Sequence, residues 1–375
     1  MQKTNISAPD FSKRIKNEIF SVPKQGLAKG AWLWWFWLFF IHTKDTAKTG
    51  KCRQIMILWS IKNDSQISVN GLDIRVKKQI IAKGDKINLD GAAAAWYFDG
   101  EKMHDDFVLE KSMMLLDSKN AKLSSPGSTP SSFERSGPDC YLTKIKTKNI
   151  SFELEAKQTD FHPVVGPVHG STKLLAGLFN IEGTRIERLE LSGTQTADSG
   201  KIEKITGSAY FQKIYLGAPP PQWYWGIYHF SDGSIATYMQ AYVGRAMLKD
   251  VATDFNLKNP SASALRDFSF YHAPSKKVYE VHGAISVIPK KIGKDLYEHD
   301  FFGECPEFSF KGKTVAYAHS AWKFRKNIGA LPIKSTFVYN EYPAVMELTL
   351  TPFGQAPISL KNGVGNMENA WGFLI

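Results

Sequence analysis

Aromatic side chains in the second half of the chain have the residue types of a binding site for an apolar molecule. Trp223 and Trp225 alternate along one apolar run, and Tyr238 and Tyr242 alternate along the next run. Small-molecule sites are usually apolar walls in which a few polar groups orient the ligand. The candidate ligand-binding residues of this segment are Trp223, Trp225, His229, Tyr238, Gln240 and Tyr242.

The dipeptide Asp232-Gly233 between the two runs predicts how they pair. Asp-Gly is typical of a two-residue type I′ turn, because both residues tolerate positive φ. The predicted pairs are Trp223 with Tyr242, Trp225 with Gln240, Ile227 with Tyr238 and His229 with Ala236. Since strand side chains alternate between faces, this register places all the candidates on one face. The alternative is an ordinary packed core whose Tyr and Trp rings reach water or backbone with their polar tips.

Two other polar clusters give weaker evidence for a functional site. His299 and Asp300, with Glu298 and Glu304, form an acid-bearing group that would provide a proton donor if it lay near an apolar pocket. A solvated turn is the favoured interpretation of this segment. His162 and His169 flank a Gly/Pro-rich stretch without an acidic or thiol ligand at suitable spacing, so no metal site is predicted.

No cofactor is predicted. The sequence lacks a Gly-x-Gly-x-x-Gly fingerprint after a strand, a Walker-type lysine and a Gly-x-Ser-x-Gly elbow. Nucleotide-dependent and serine-hydrolase chemistry are therefore disfavoured.

The elements that must position these residues read as strands. Hydrophobic residues make up 43% of the 375 residues and aromatic residues 13%, with ten Trp. Aromatic and β-branched residues favour strands, and frequent turn dipeptides separate short runs, which predicts an all-β chain of sandwiches or barrels. The N-terminus alone has helical spacing, with Phe11, Ile15 and Ile19 after a start at Pro9-Asp10.

Two domains are expected from the length of the chain and from a sequence pattern that occurs twice. Trp32-Leu33-Trp34 opens an aromatic strand near the N-terminus, and Trp223-Tyr224-Trp225 opens another about half the chain later. We therefore predict an N-terminal barrel with the leading helix over residues 1–205 and a C-terminal barrel over 206–375.

The net charge limits the possible binding partners, and the cysteines indicate the cellular compartment. The net charge is +11, but the basic residues are scattered and no nucleic-acid motif is present, so we expect no nucleic acid and at most a weak peripheral contact with a membrane. The apolar run Ala31 to Ile41 is too short for a membrane span, which needs about 20 residues. Three widely spaced cysteines and no signal peptide predict a cytoplasmic protein.

One segment resembles a known family. Gly207, Tyr210, Gly217 and the Trp223-Tyr224-Trp225 opening are similar to the pattern of the lipocalin-like carotenoid 1,2-hydratases (hydroxyneurosporene synthases) and AttH-like proteins. More distant resemblance extends to tocopherol cyclase and fungal lipocalin-like Diels–Alderases. The matching residues lie between Gly207 and Gly244. The resemblance implies two tandem lipocalin-like (calycin) antiparallel β-barrels with few short helices.

The resemblance also implies a chemistry. Family reactions are hydration, cyclisation or isomerisation of an alkene in an isoprenoid-like or polyketide-like substrate, without a redox cofactor. Such reactions need a proton donor and aromatic faces that stabilise a carbocation. Where the hydratase pattern has an acidic or His-containing pair after Tyr210, this chain has Phe211-Gln212, and an amide is not a general acid. Tyr210 and Gln212 are therefore assigned to ligand orientation, together with Trp34, and the acid has to come from elsewhere.

The leading hypothesis is that the chain binds, and transforms as a hydratase- or cyclase-like lyase or isomerase, a hydrophobic isoprenoid-like molecule. A non-catalytic carrier of lipophilic ligands is the alternative, and an interaction protein with collapsed barrels is a third. A buried acid or histidine in a cavity distinguishes the first from the second.

Overall fold

The computed structural model describes residues 18–23, 26–64, 67–74, 80–83, 85–174, 179–217, 222–243, 262–327 and 334–373. Strands make up 70% of the structure and helices 3%, so the predicted all-β class is confirmed. The predicted N-terminal helix lies mostly outside the described residues, although Glu18 and Ile19 are helical. Helix α1 (Thr46–Thr49) ends at Gly50, whose φ is 69°, and a 3-10 turn covers Ala273–Ser275. Within the described ranges, no helix is long and apolar enough to cross a membrane.

The first sheet has twelve strands, ten of which close into an antiparallel barrel. Its strands are β1 (Trp32–Ile41), β2 (Arg53–Lys62), β5 (Ile80–Lys83), β6 (Lys86–Phe98), β7 (Met103–Asp117), β8 (Lys122–Ser125), β9 (Ser131–Gly137), β10 (Cys140–Lys146), β11 (Ile150–Lys157), β12 (Val168–Leu174), β13 (Phe179–Ala197) and β14 (Ile202–Leu216). The order is β11-β10-β9-β8-β7-β6-β2-β1-β14-β13, and β13 pairs back with β11. Strand β12 pairs with the first half of β13 and β5 with β6.

The second sheet takes most of its strands from the C-terminal half. They are β3 (Ile67–Val69), β4 (Leu72–Ile74), β15 (Gln222–His229), β16 (Ile235–Val243), β17 (Ala262–His272), β18 (Lys277–His282), β19 (Ile285–Lys291), β20 (Tyr297–Glu304), β21 (Phe308–Ala316), β22 (Ser320–Asn327), β23 (Lys334–Pro352) and β24 (Ile358–Phe373). The main order is β18-β17-β16-β15-β24-β23-β21-β20-β19, and β3 joins through β22. Tyr238 of β16 hydrogen-bonds His299 of β20, five places along this order, so the sheet curls over its own interior.

Alternation along β1 explains why this strand is an unbroken apolar run. Trp35 and Trp37 point into the first barrel, whereas Phe36 and Leu38 point out of it. The outward side packs against the outer face of the second sheet, in a core that includes Ile227. A strand buried on both faces needs apolar residues at every position. The described part of the chain therefore forms three cores: one inside each sheet and one between them.

The predicted register of the β15–β16 hairpin is wrong by one residue. Trp223 pairs with Ala241 and Trp225 with Met239. The turn has three residues between Phe230 and Ser234, with Gly233 at φ 91°, because the Gly233 N–H donates to the Phe230 carbonyl and closes a type I turn before the glycine.

This one-residue shift separates the predicted wall into two faces. Trp223, Trp225 and His229 face the first barrel, in the core between the sheets. Tyr238 and Tyr242 belong to the core inside the second sheet, and Gln240 follows their alternation. A slip by one residue exchanges the faces of every side chain of a strand.

The predicted domain division between residues 205 and 206 lies within β14. Strand β14 pairs with β1 and β13, both in the first sheet, along its length to Leu216. We propose on this sheet membership that the division lies after Leu216.

Candidate functional site

A cavity of about 440 Å³ lies between the outer faces of the two sheets. Small-molecule sites usually have about 300 to 1,000 Å³, so its size suits a small ligand. Its apolar lining comes from both sheets and includes Trp34, Ile214, Leu216, Trp223, Trp225 and Met239. The cavity is thus outside the interiors of both sheets, in the third core.

Strand pairing explains the wall on the first sheet. Trp34 is opposite Ile214, Ile214 is opposite Gly183, and Gly183 is opposite Gly170, so one row ends in two residues without side chains. A Cβ at Gly170 would meet nothing within 4 Å. The row therefore leaves open space at its β12 end, whereas the side chain of Ile214 fills the space at Gly183.

The wall on the second sheet places carboxyl groups beside an indole ring. One row of cross-strand neighbours runs, in order, through Glu341, Glu368, Trp225, Met239, Asp267 and His282. Glu368, Trp225 and Met239 all line the cavity. The row joins a buried acidic end, an apolar middle and an exposed charged end.

Glu368 is the acid at the apolar side of the cavity, and only 4% of its surface is exposed to solvent. The Trp223 indole donates a hydrogen bond of 2.7 Å to Oε2, and the Tyr339 hydroxyl donates one of 2.6 Å to Oε1. These bonds favour the ionised form, but burial outweighs them and raises the pKa of Glu368 to about 7. The carboxyl therefore exchanges its proton near neutral pH.

Glu341 stands directly opposite Glu368 and is fully buried. Its Oε2 accepts a hydrogen bond of 2.7 Å from the indole of Trp96, which belongs to the first sheet. Burial, followed by the charge of Glu368, raises the pKa of Glu341 well above its ordinary value. Because like charges directly opposite each other repel, ionisation of Glu368 disfavours ionisation of Glu341.

The other end of the cavity is polar. Arg185 and Glu187 reach it from β13, with Nε of Arg185 3.3 Å from Oε1 of Glu187. Asp267 and His282 form a pair of 2.8 Å between Oδ1 and Nδ1 on the second sheet. Burial raises the pKa of Glu187 despite the neighbouring guanidinium.

Five of the predicted site residues line the cavity. They are Trp34, Gln212, Trp223, Trp225 and Tyr238. Tyr210 stands behind them, because its hydroxyl donates to Oε1 of Gln212 at 3.0 Å and its ring lies 5.5 Å from the ring of Trp225.

Tyr238 and the remaining predicted residues also have other partners. Tyr238 contributes to the lining, but its hydroxyl lies 2.9 Å from Nδ1 of His299 inside the second sheet. Gln240 accepts a hydrogen bond from the Val287 N–H, and Tyr242 stacks on Tyr224. Gln240 and Tyr242 do not line the cavity, and this follows from the register of β16.

His229 of the second sheet hydrogen-bonds to a side chain and to a backbone carbonyl of the first sheet. Its Nδ1 lies 2.8 Å from Oγ of Ser208, and its Nε2 lies 2.7 Å from the carbonyl oxygen of Glu187. Burial lowers the pKa of His229 well below its ordinary value. The imidazole is therefore neutral and holds β15 against β13 and β14.

The acid-bearing segment around His299 is a strand, so its favoured interpretation as a solvated turn is wrong. His299 is buried in the second core, whereas Asp300 and Glu298 pair with Lys290 on the opposite face. Burial lowers the pKa of His299 to about 3. The segment provides no acid to the cavity.

The histidines that flank the Gly/Pro-rich stretch have separate partners. His162 stacks on Tyr271, and His169 lies 3.1 Å from the Thr184 hydroxyl. Among the described residues, no group of three or more His, Cys, Asp or Glu is placed to hold a metal ion.

Sequence reasoning missed Glu341 and Glu368. Each is the single acid in an otherwise apolar or amide-bearing stretch of strand, Tyr339 to Val345 and Val364 to Trp371. An acid within such a run is a signal of a buried ionisable group. Their pairing depends on the β23–β24 register, which the sequence alone does not reveal.

Comparison with known proteins supports the fold. No protein-family model matches the chain, and no curated protein sequence matches it. Among solved structures, a protein described as a "putative AttH" from Nitrosomonas europaea is similar, with a TM-score of 0.51 and 14% identity over 93% of this chain and 94% of that one. Kievitone hydratase from Nectria haematococca has 11% identity and a TM-score of 0.44, covering 92% of this chain and 89% of that one. CghA has 10% identity and a TM-score of 0.46 with the same two coverages. The resemblance to AttH-like proteins expected from the sequence is thereby confirmed at the level of the fold.

Proposed function

We propose that the chain binds a hydrophobic, isoprenoid-like alkene in the cavity between the sheets and transfers a proton to it from Glu368. The observation that carries this proposal is a buried carboxyl in an aromatic cavity whose pKa burial raises to about 7. Such a group is protonated often enough at neutral pH to act as an acid and ionised often enough to act as a base. Glu368 thus takes the role of proton donor, which the amide of Gln212 cannot fill.

The reaction balances with Glu368 alone as proton carrier. The O–H bond of the carboxylic acid breaks, the π electrons form a C–H bond to one alkene carbon, and the other carbon becomes cationic. Water adds its lone pair to that carbon and returns a proton to the carboxylate, which is hydration. If a second alkene attacks instead, a ring forms and an adjacent carbon returns the proton. No redox cofactor is required, because no electrons are gained or lost overall.

The walls of the cavity suit the cationic intermediate. Trp225 is the cross-strand neighbour of Glu368, and Trp34 lines the cavity from the first sheet. The face of an indole ring attracts a cation, by about 2 kcal/mol or more where water is excluded. Trp223 additionally orients the acid through its indole N–H.

Deuterium transfer tests the proposal whatever the product is. The protein is incubated in D₂O with farnesene, farnesol or geranylgeraniol, and the recovered lipid is analysed by mass spectrometry. We expect the wild type to give products with carbon-bound deuterium, and Glu368→Gln to bind the same probes within about twofold but transfer none. Glu347→Gln, an exposed glutamate on β23, is the matched control and is expected to behave as the wild type.

The same experiment separates the enzyme from the carrier. Binding of a probe without deuterium transfer in the wild type would overturn proton transfer and favour a lipophile carrier. Deuterium transfer at an unchanged rate in Glu368→Gln would overturn the assignment of Glu368.

A further inference from the structure

The geometry points to a ligand with a neutral hydroxyl group that hydrogen-bonds to both Arg185 and Oε2 of Glu187, so that the alkene body faces Glu368. This inference rests on the proposed function and adds a substrate class to it: an isoprenoid-like alcohol, and neither a hydrocarbon nor an acid.

Glu187 offers an acceptor that the protein leaves unpaired. Its residue is only 7% exposed and lines the cavity, and Oε2 has no hydrogen-bond partner among the described residues. An unpaired buried acceptor is unfavourable unless a ligand or water completes it. A donor group on the ligand would satisfy this oxygen.

The backbone at Glu187 is held in place on both sides. Its N–H donates to the carbonyl of Val165 at 2.7 Å, and its carbonyl accepts from Nε2 of His229 at 2.7 Å. The β13–β14 register shifts between Ile186 and Leu189, which is a bulge at Glu187. Bulges re-aim side chains next to functional sites. The carboxylate is therefore preorganised toward the cavity.

Arg185 and Gln212 provide the matching donors. They are cross-strand neighbours, and both line the cavity. The side chain of Arg185 is 42% exposed, so its guanidinium is accessible to a ligand. Gln212 uses its oxygen to accept from Tyr210, which leaves its amide N–H groups to donate.

The charges at this end disfavour an anionic ligand. Three carboxyl groups, from Glu187, Asp267 and Glu280, line the same end as the guanidinium of Arg185. A carboxylate or phosphate would add a negative charge beside them. A hydroxyl instead donates to Glu187 and accepts from Arg185 at once.

The two polar positions stand on opposite walls. Arg185 and Glu187 belong to the first sheet, and Glu368 belongs to the second. A ligand that reaches both crosses the cavity in one orientation. The hydroxyl then selects which double bond meets the acid.

Calorimetry with four probes of one carbon skeleton tests this recognition. The probes are farnesol, farnesyl methyl ether, farnesoic acid and farnesene, titrated into the full chain at pH 7. We expect farnesol to bind roughly tenfold more tightly than the methyl ether, because the ether leaves the buried acceptor unpaired. Farnesoic acid is expected to bind more weakly than farnesol.

Two variants at one position assign the effect. Glu187→Leu is expected to bind farnesol and its methyl ether with equal affinity while the affinity for farnesene changes by less than about twofold. Glu187→Gln keeps an acceptor oxygen and is expected to restore part of the preference for farnesol. This rescue would not follow from a merely structural role.

The outcomes distinguish this inference from the proposed function. If none of the four probes binds, the cavity is not a ligand site and both fail. Equal affinities for farnesol and its methyl ether in the wild type would overturn the hydroxyl recognition alone. Tightest binding of farnesoic acid would show that Arg185 acts as an anion site and would overturn it too.

Discussion

Glu368 and Glu341 are cross-strand neighbours on two central strands, and their burial makes the stability of the fold depend on pH. An acid whose pKa is raised on folding binds more protons in the folded state than in the unfolded chain. The folded state is therefore stabilised at low pH and loses this contribution as the pH rises.

For Glu368 the window lies between its ordinary pKa of 4.5 and its folded pKa of about 7. We expect the free energy of unfolding of the wild type to lose roughly 1.4 kcal/mol per pH unit across this window because of Glu368. In Glu368→Gln most of this slope should vanish. Urea unfolding at pH 5 and at pH 7.5 measures it, and equal slopes in the two proteins would contradict the raised pKa.

The raised pKa of Glu368 also makes the rate of proton transfer depend on pH. Since the protonated carboxyl is the acid, we expect turnover to fall as the pH rises through about 7. A deuterium-transfer rate that increases across this range would argue against Glu368 as the proton donor.

His229 is a structural residue by the contacts it makes. We expect His229→Leu to lower the free energy of unfolding by roughly 2 kcal/mol or more, because the Ser208 hydroxyl and the Glu187 carbonyl lose a buried partner. Chemical denaturation checks this value. His282→Ala is the control, since its side chain is 76% exposed, and it should change stability by less than about 0.5 kcal/mol. Equal effects of the two substitutions would contradict the role of His229.

Among the elements, the edge strand β12 contributes Gly170 to the cavity lining. Gly170 lines the cavity and has open space where a side chain would project. We expect Gly170→Leu to weaken the binding of farnesol roughly tenfold by occupying that space, with little change in thermal stability.

Ser171→Leu is the matched control for this strand. Ser171 is the next residue and is exposed, and alternation turns it away from the cavity. Calorimetry should therefore find farnesol affinity unchanged in this variant. A similar loss of affinity in both variants would place the ligand elsewhere.

The β15–β16 hairpin shows that strands can be predicted from the sequence more reliably than the register between them. Both strands and their alternation follow from the aromatic runs, so the elements themselves are predictable. The loop length is not, because Asp-Gly fits both a two-residue turn and the end of a three-residue turn. That difference of one residue decides whether Gln240 or Met239 is the cross-strand partner of Trp225.

At the scale of the whole molecule, the core between the sheets links the two halves. Phe36 and Leu38 of the first sheet and Ile227 of the second are buried in it together. The β3–β4 hairpin of the N-terminal half also pairs with β22. We therefore expect one cooperative unfolding transition, with coincident midpoints by circular dichroism and by tryptophan fluorescence. Two separated transitions would contradict a shared core.

Truncation tests the division of the chain. A fragment of residues 1–205 lacks most of β14, whereas a fragment of residues 1–217 retains the pairing of β14 with β1 and β13. We expect the longer fragment to keep more β-structure by circular dichroism. If the fragment 1–205 is the better folded of the two, the division lies at residue 205 instead of after Leu216.

The sequence by itself determined the all-β class and the aromatic strand that begins at Trp32, and it proposed Trp34, Gln212, Trp223 and Trp225 as ligand-binding residues, which line the cavity. These features are local, since period-two alternation and aromatic content act within each strand. Only the tertiary structure decided that the cavity lies between the sheets and that Glu368 and Glu341 meet there. Register and sheet curvature bring distant residues together, and both depend on packing across the whole molecule.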